Sequence, residues 1–150
     1  DAAVQWMTTG RGMLHEEMWR TGDSLESSDQ ELFQIWVNLP RLHKMVPPRM
    51  QILGELENLK GSETKPVVED QPEVRELGPV PSASPADGVI VRVVAGEVAG
   101  VKSPMETYSD IAILHVTLEP GTSWSWPRPQ GWSCLVYARR GEAQLGNELL

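Results

Sequence analysis

His15 and Glu17 are the residues whose types and spacing could do chemistry. They stand two positions apart in the run VQWMTTGRGMLHEEM. On an extended segment, side chains at i and i+2 share a face. That places the His15 imidazole and the Glu17 carboxylate on one side, with Met13 beside them. Leu14 and Glu16 then point the other way. A ring nitrogen and a carboxylate oxygen that converge can chelate a transition metal. Joined by a second histidine pair, they would form a mixed nitrogen and oxygen site suited to iron and its neighbours. Two ligands are fewer than the three or four that stable protein sites use. On pattern alone, a lone His-x-Glu is more often a solvated strand face.

The elements that must position these groups are short. Ala3–Met7 reads as a strand, and Gly10 and Gly12 mark a tight reversal. Met13–Met18 reads as a second strand. Leu32–Leu39, LFQIWVNL, reads as a buried strand that Pro40 ends. Met50–Lys60 is ambiguous, because Ile52, Leu56 and Leu59 sit at helical spacing while Gly54 weakens a helix. Val89–Ala95, Ile111–Leu118 and Cys134–Ala138 read as further strands. Gly96, Gly100, Pro120, Gly121 and Gly141 fall among them as turn markers. Many short strands at turn-like spacing indicate an all-β sandwich or barrel. Between these regions, Ser62–Gly88 holds five prolines and six acids and few large apolar groups. Such a stretch buries too little surface to offset its ordering entropy, so it reads as a linker or a mobile insertion.

Composition narrows the function classes. The 150 residues are 40% hydrophobic and 23% charged, as in ordinary globular proteins. No apolar run approaches the roughly 20 residues of a membrane helix. The first residues, DAAVQWMTTG, lack the basic and apolar regions of a signal peptide. There is no initiator Met, so both ends are expected to lie inside a longer product. The net charge is −8, and the basic residues are scattered apart from RLHK at 41–44 and Arg139–Arg140. Direct binding to nucleic acid is not expected from that distribution. Cys134 is alone, which fits a reducing compartment, and its apolar segment reads as a buried, inert thiol. His115 reads as a satisfied strand histidine. Gly96–Ser103, GEVAGVKS, has the wrong spacing for a phosphate loop.

Longer motifs carry a resemblance. QWMTTGRGMLHEEM is similar to the signature of pirins, a family of the cupin superfamily, in which Gln-Trp-Met-Thr-x-Gly-x-Gly precedes His-x-Glu. LFQIWVNLPRLHKMVPPRMQ resembles the family's next block, and VRVVAGEVAGVKSP a third. LEPGTSWSWPRPQGWSCLVYARRGEAQLG resembles the start of the family's C-terminal cupin. The likeness spans the chain except about residues 54–88. It implies an all-β, double-stranded β-helix bicupin present as two partial domains. Residues 1–57 would be the C-terminal part of a metal-binding cupin, 58–88 a linker, and 89–150 the first part of a metal-free cupin.

In the family pattern an earlier His-x-His supplies two ligands, and His15 and Glu17 match the other two. The earlier pair has no counterpart here, and neither His43 nor His115 matches a ligand position. The site is therefore expected to be incomplete in this chain. In the second cupin, Ser and Trp stand at 122–127 where metal-binding histidines would fall. Trp124 and Trp126 are expected to pack, while Trp6 and Met13 are expected to shape the metal pocket. Trp19 stands where the family often has Pro, which affects the local turn and not the ligands.

The resemblance implies Fe2+, or another divalent transition metal, as cofactor. It implies two activities as alternatives. One is a flavonol (quercetin) 2,3-dioxygenase in which Glu17 serves as ligand and general base. The other is a non-enzymatic, iron-dependent co-regulator that binds transcription factors. A cupin shell without activity in this form is the third. A monomeric full-length protein of the cytoplasm or nucleus, without membrane or direct nucleic-acid contact, completes the expectation.

Overall fold

A computed structural model describes residues 3–15, 31–54 and 72–150. Strands dominate, and no α-helix occurs among the described residues. The first sheet has three strands, β1 (Val4–Thr8), β2 (Arg49–Leu53) and β3 (Glu73–Glu76). β1 and β2 run antiparallel, with Val4 opposite Leu53 and Thr8 opposite Arg49. β3 joins β2 in parallel. A 3-10 turn at Arg41–His43 precedes β2.

The second sheet is β4 (Ser82–Ala86), β5 (Val89–Ala95) and β8 (Ile113–Leu118), with β5 in the centre. Alternation in VIVRVVA explains the role of β5. Val89, Val91, Val93 and Ala95 are buried, while Ile90, Arg92 and Val94 turn outward. Val89, Val91 and Val93 pack with Ala83 and Val98, and Val101, Leu114, Val116, Trp124 and Trp126 close around them. The two tryptophans therefore pack, as expected.

Two small hairpins complete the set, β6 (Glu97–Val98) with β7 (Val101–Lys102) and β9 (Gln144–Leu145) with β10 (Glu148–Leu149). The segment GEVAGVKS is thus a hairpin and not a phosphate cradle. Ala99 and Gly100 both take positive φ, the geometry of a tight two-residue turn.

A second apolar cluster joins the two sheets. Leu53, Ala95 and Met105 are buried together, flanked by Val4, Trp6, Leu77, Val80, Ile111 and Ile113. β1 and β2 are thereby packed against the end of β5.

Several expectations need correction. Leu32–Leu39 is not a buried strand. Both alternating sets of side chains are exposed, with Phe33 at 51% and Trp36 at 93%. Cys134–Ala138 likewise forms no ladder, and Cys134 is exposed rather than buried. An extended apolar segment becomes a strand only when a neighbour satisfies its backbone groups. No ladder partner for either segment occurs among the described residues. Met13–His15 also lies outside any ladder, and the rest of the expected strand, 16–18, lies outside the described residues. In the acidic, proline-rich stretch, β3 and β4 are ordered strands. Residues 55–71 lie outside the described residues.

Candidate metal centre and its supports

His15 follows β1 by way of a glycine turn. Gly10 takes φ 50° and Gly12 φ 128°, values that L side chains rarely adopt. The Gly12 amide donates to Thr9 O at 2.8 Å, and the Arg11 amide donates to Val46 O at 3.0 Å. Gly10 is required here by close approach as well as by φ. A Cβ at this position would lie 2.1 Å from Val46 O. Beyond the turn, Met13 is half-buried and His15 is exposed. Trp6 is half-buried in the apolar seam between the sheets. Glu17 lies outside the described residues, so the shared face of His15 and Glu17 rests on sequence spacing.

An imidazole and a carboxylate fit iron in kind. The described residues do not close a coordination shell, because no three of their His, Cys, Asp and Glu side chains stand together as a metal group. His43 stacks near Tyr108, with ring centroids 4.8 Å apart. His115 faces Arg92 across β5 and β8. Neither is placed as a ligand.

The best-built polar cluster lies between β2, β3 and the loop after β7. Gln51 is fully buried, and its amide pairs with both backbone groups of one residue. Gln51 Nε2 donates to Glu106 O, and the Glu106 amide donates to Gln51 Oε1, each at 2.9 Å. Arg49 Nη1 donates to Glu106 Oε2 at 2.7 Å, and Arg75 Nη1 to Glu106 Oε1 at 3.1 Å. The Arg49 guanidinium sits 5.0 Å above the Tyr108 ring centroid. Arg75 is held protonated above its ordinary range, first by its hydrogen bond to Glu73 and then by the nearby charges. The cluster borders an open cleft of about 950 Å³ that includes Met105, Tyr108, Ile111 and Trp132. Sequence reasoning missed this cluster, because Gln51, Arg49 and Arg75 reach Glu106 from 55, 57 and 31 positions away and share no local motif with it.

A second contact brings Glu31 and Phe33 beside Arg139 and Tyr137. Arg139 Nε donates to Glu31 Oε2 at 2.6 Å, and Phe33 meets Tyr137 edge to face at 5.6 Å. The Arg139 hydrogen bond holds the Glu31 carboxyl below its usual range. Burial is the first cause that lowers the His115 imidazole, followed by the charges of Arg139 and Arg92, and Glu31 opposes them.

The described strands define an all-β protein, consistent with the cupin-type fold of the relatives that follow. No family model and no solved structure matches the chain. Curated relatives do. The chain is 35% identical to pirin of Homo sapiens over 95% of its own length and 40% of that protein's. It is 33% identical to a pirin-like protein of Arabidopsis thaliana over its whole length and 41% of that protein's. It is 32% identical to a Pseudomonas aeruginosa protein named "Putative quercetin 2,3-dioxygenase", over 98% of this chain and 44% of that one. The chain belongs to the pirin family, and it spans about two fifths of the length of these relatives. No helix among the described residues is long and apolar enough to cross a membrane.

Proposed function

We propose that the protein carrying this chain is a metal-binding pirin that cleaves a flavonol-like aromatic substrate with dioxygen. The observation that carries the reading is the His15-x-Glu17 pair, set directly after a conformationally restricted glycine turn in a chain aligned with pirins along 95% of its length. The similarity to a protein named for quercetin 2,3-dioxygenase supports the substrate class. His15 and Glu17 would hold the metal, iron by donor type. When bound, the metal supplies Lewis acidity, which lowers the pKa of a hydroxyl it holds. A Glu17 carboxylate oxygen accepts that hydroxyl proton as general base. Trp6 and Met13 lie on the elements that lead into and out of the turn, and they would shape the pocket's apolar wall.

In domain terms, residues 1–57 would belong to the metal-binding cupin and 89–150 to a metal-free one, with β3 and β4 of the intervening stretch added to the first and second sheets. Two ligands do not complete a shell, so residues 1–150 alone are expected to bind iron weakly and to be inactive.

The test uses the full-length protein, loaded anaerobically with Fe2+ and then given quercetin and oxygen. Metal-dependent oxygen uptake that disappears in Glu17→Ala supports the enzyme. Stoichiometric iron without uptake refutes it. Redox-dependent binding to a transcription factor in that case favours the co-regulator, in keeping with the acidic net charge of −8 and partner-mediated DNA contact.

A further inference from the structure

We propose that Gly10, Arg11 and the Val46 carbonyl form a seat that positions His15 for metal, so that Gly10 and Arg11 are positioning residues of a site they do not touch. The inference rests on the metal reading above.

β1 and β2 pair so that Thr8 faces Arg49. Continued beyond the ladder, the same register sets Thr9 and Gly10 against Pro48 and Pro47, and Arg11 against Val46. Prolines have no N–H, so the ladder cannot continue through them. The Arg11 amide nevertheless donates to Val46 O at 3.0 Å. A single backbone bond thus ties the turn to the far side of the prolines, just ahead of the segment that carries His15.

Two further features hold the seat. The Gly12 amide closes the turn onto Thr9 O at 2.8 Å. Gly10 lets the chain lie directly on Val46, where a Cβ would stand 2.1 Å from the carbonyl oxygen and 3.2 Å from Val46 Cγ2. The Val46 side is itself braced, because the Val46 amide donates to His43 O and Lys44 Nζ donates to Asn38 Oδ1. A Cβ at Gly12 meets nothing within 4 Å, although φ 128° strains an L side chain there as well. Contact with Val46 is therefore the restriction particular to Gly10. Misplacing a ligand by about 1 Å is enough to weaken a site that demands fixed geometry. Coupling between seat and metal must be reciprocal. If the seat positions His15, a bound metal must in turn stabilise the seat.

The experiment uses the full-length protein and Co2+ as the spectroscopic metal. His15→Ala first establishes that the visible Co2+ bands report this site. Hydrogen exchange of the Arg11 amide is then followed in the unmodified protein with and without Co2+, which needs no variant to fold. Exchange of Arg11 is expected to slow about tenfold or more at saturating metal. In Gly10→Ala, Co2+ affinity is expected to fall about tenfold or more, with altered bands. Unchanged Arg11 exchange on metal binding, or a Gly10→Ala protein that is less stable but keeps its Co2+ affinity and bands, would make the seat structural only and overturn the inference. Bands that survive His15→Ala, or no Co2+ binding at all, would sink the metal reading itself and this inference with it.

Discussion

Replacing Gln51 by methionine tests the claim that one buried amide fastens the first sheet to the loop after β7. The side chain is fully buried, and both of its polar ends are used on Glu106 backbone groups. Methionine keeps the unbranched shape and nearly the same length, so cavity and overpacking effects are small. What changes is that the Glu106 N–H and C=O lose their partners. Each unsatisfied group costs about 1–3 kcal/mol when burial keeps water away. Arg49 Nη2 still donates to Glu106 O at 3.1 Å, so the carbonyl keeps one partner and the amide bears most of the loss. The apolar thioether recovers roughly 1 kcal/mol of transfer energy. The net expectation is a loss of about 0.5–2 kcal/mol, which corresponds to a fall in Tm of roughly 1–8 °C. Urea titration of the full-length protein gives the free energy, and hydrogen exchange at Glu106 locates it. Glu106 exchange should accelerate in step with the stability loss. A Gln51→Met protein within about 0.3 kcal/mol of the parent, with Glu106 still protected, would show that the paired amide does not fasten these elements.

Acid should loosen the contact of Glu31 and Phe33 with Arg139 and Tyr137. The Glu31 carboxyl is held below its usual range by the Arg139 hydrogen bond, so its contribution is complete above the unfolded value and is lost as pH falls through the folded one. His115 is lowered first by burial and then by Arg139 and Arg92. It therefore favours the folded state while neutral, and that contribution also decays as pH drops below the unfolded histidine value of 6.5. The Phe33–Tyr137 ring contact, followed by NMR, should weaken in two stages as pH falls, first below the histidine value of 6.5 and again below the carboxylate value of 4.5, and His115→Gln should remove the first stage. Constant ring contacts across that range would contradict the assignment. In the second sheet, Val91→Ala removes two carbons from a fully buried position in the central strand. It should cost roughly 1.5–3 kcal/mol in denaturant unfolding, whereas Ile90→Ala on the outward face should cost much less.

Much of the architecture was legible in the residues themselves. The alternation in VIVRVVA marks β5 to the residue, since period-two burial is a local property that each strand carries in its own sequence. The glycine turn ahead of His15 was legible for the same reason, because positive φ is a demand on one residue. The chelating pair was readable as a spacing. What the sequence could not decide is which extended segments find partners. LFQIWVNL and CLVYA have strand composition, yet they lie unladdered and exposed, with Trp36 at 93% and Leu135 at 94%. A ladder needs a second backbone at hydrogen-bonding distance, and composition does not say whether one arrives. The acidic stretch misled in the opposite direction. β3 and β4 are poor in large apolar groups, but β2 and β5 offer them an edge. Only tertiary structure set Gln51 against Glu106 and Gly10 against Val46, because those contacts are made by backbone groups that every residue possesses and that leave no mark in the identity of the partner.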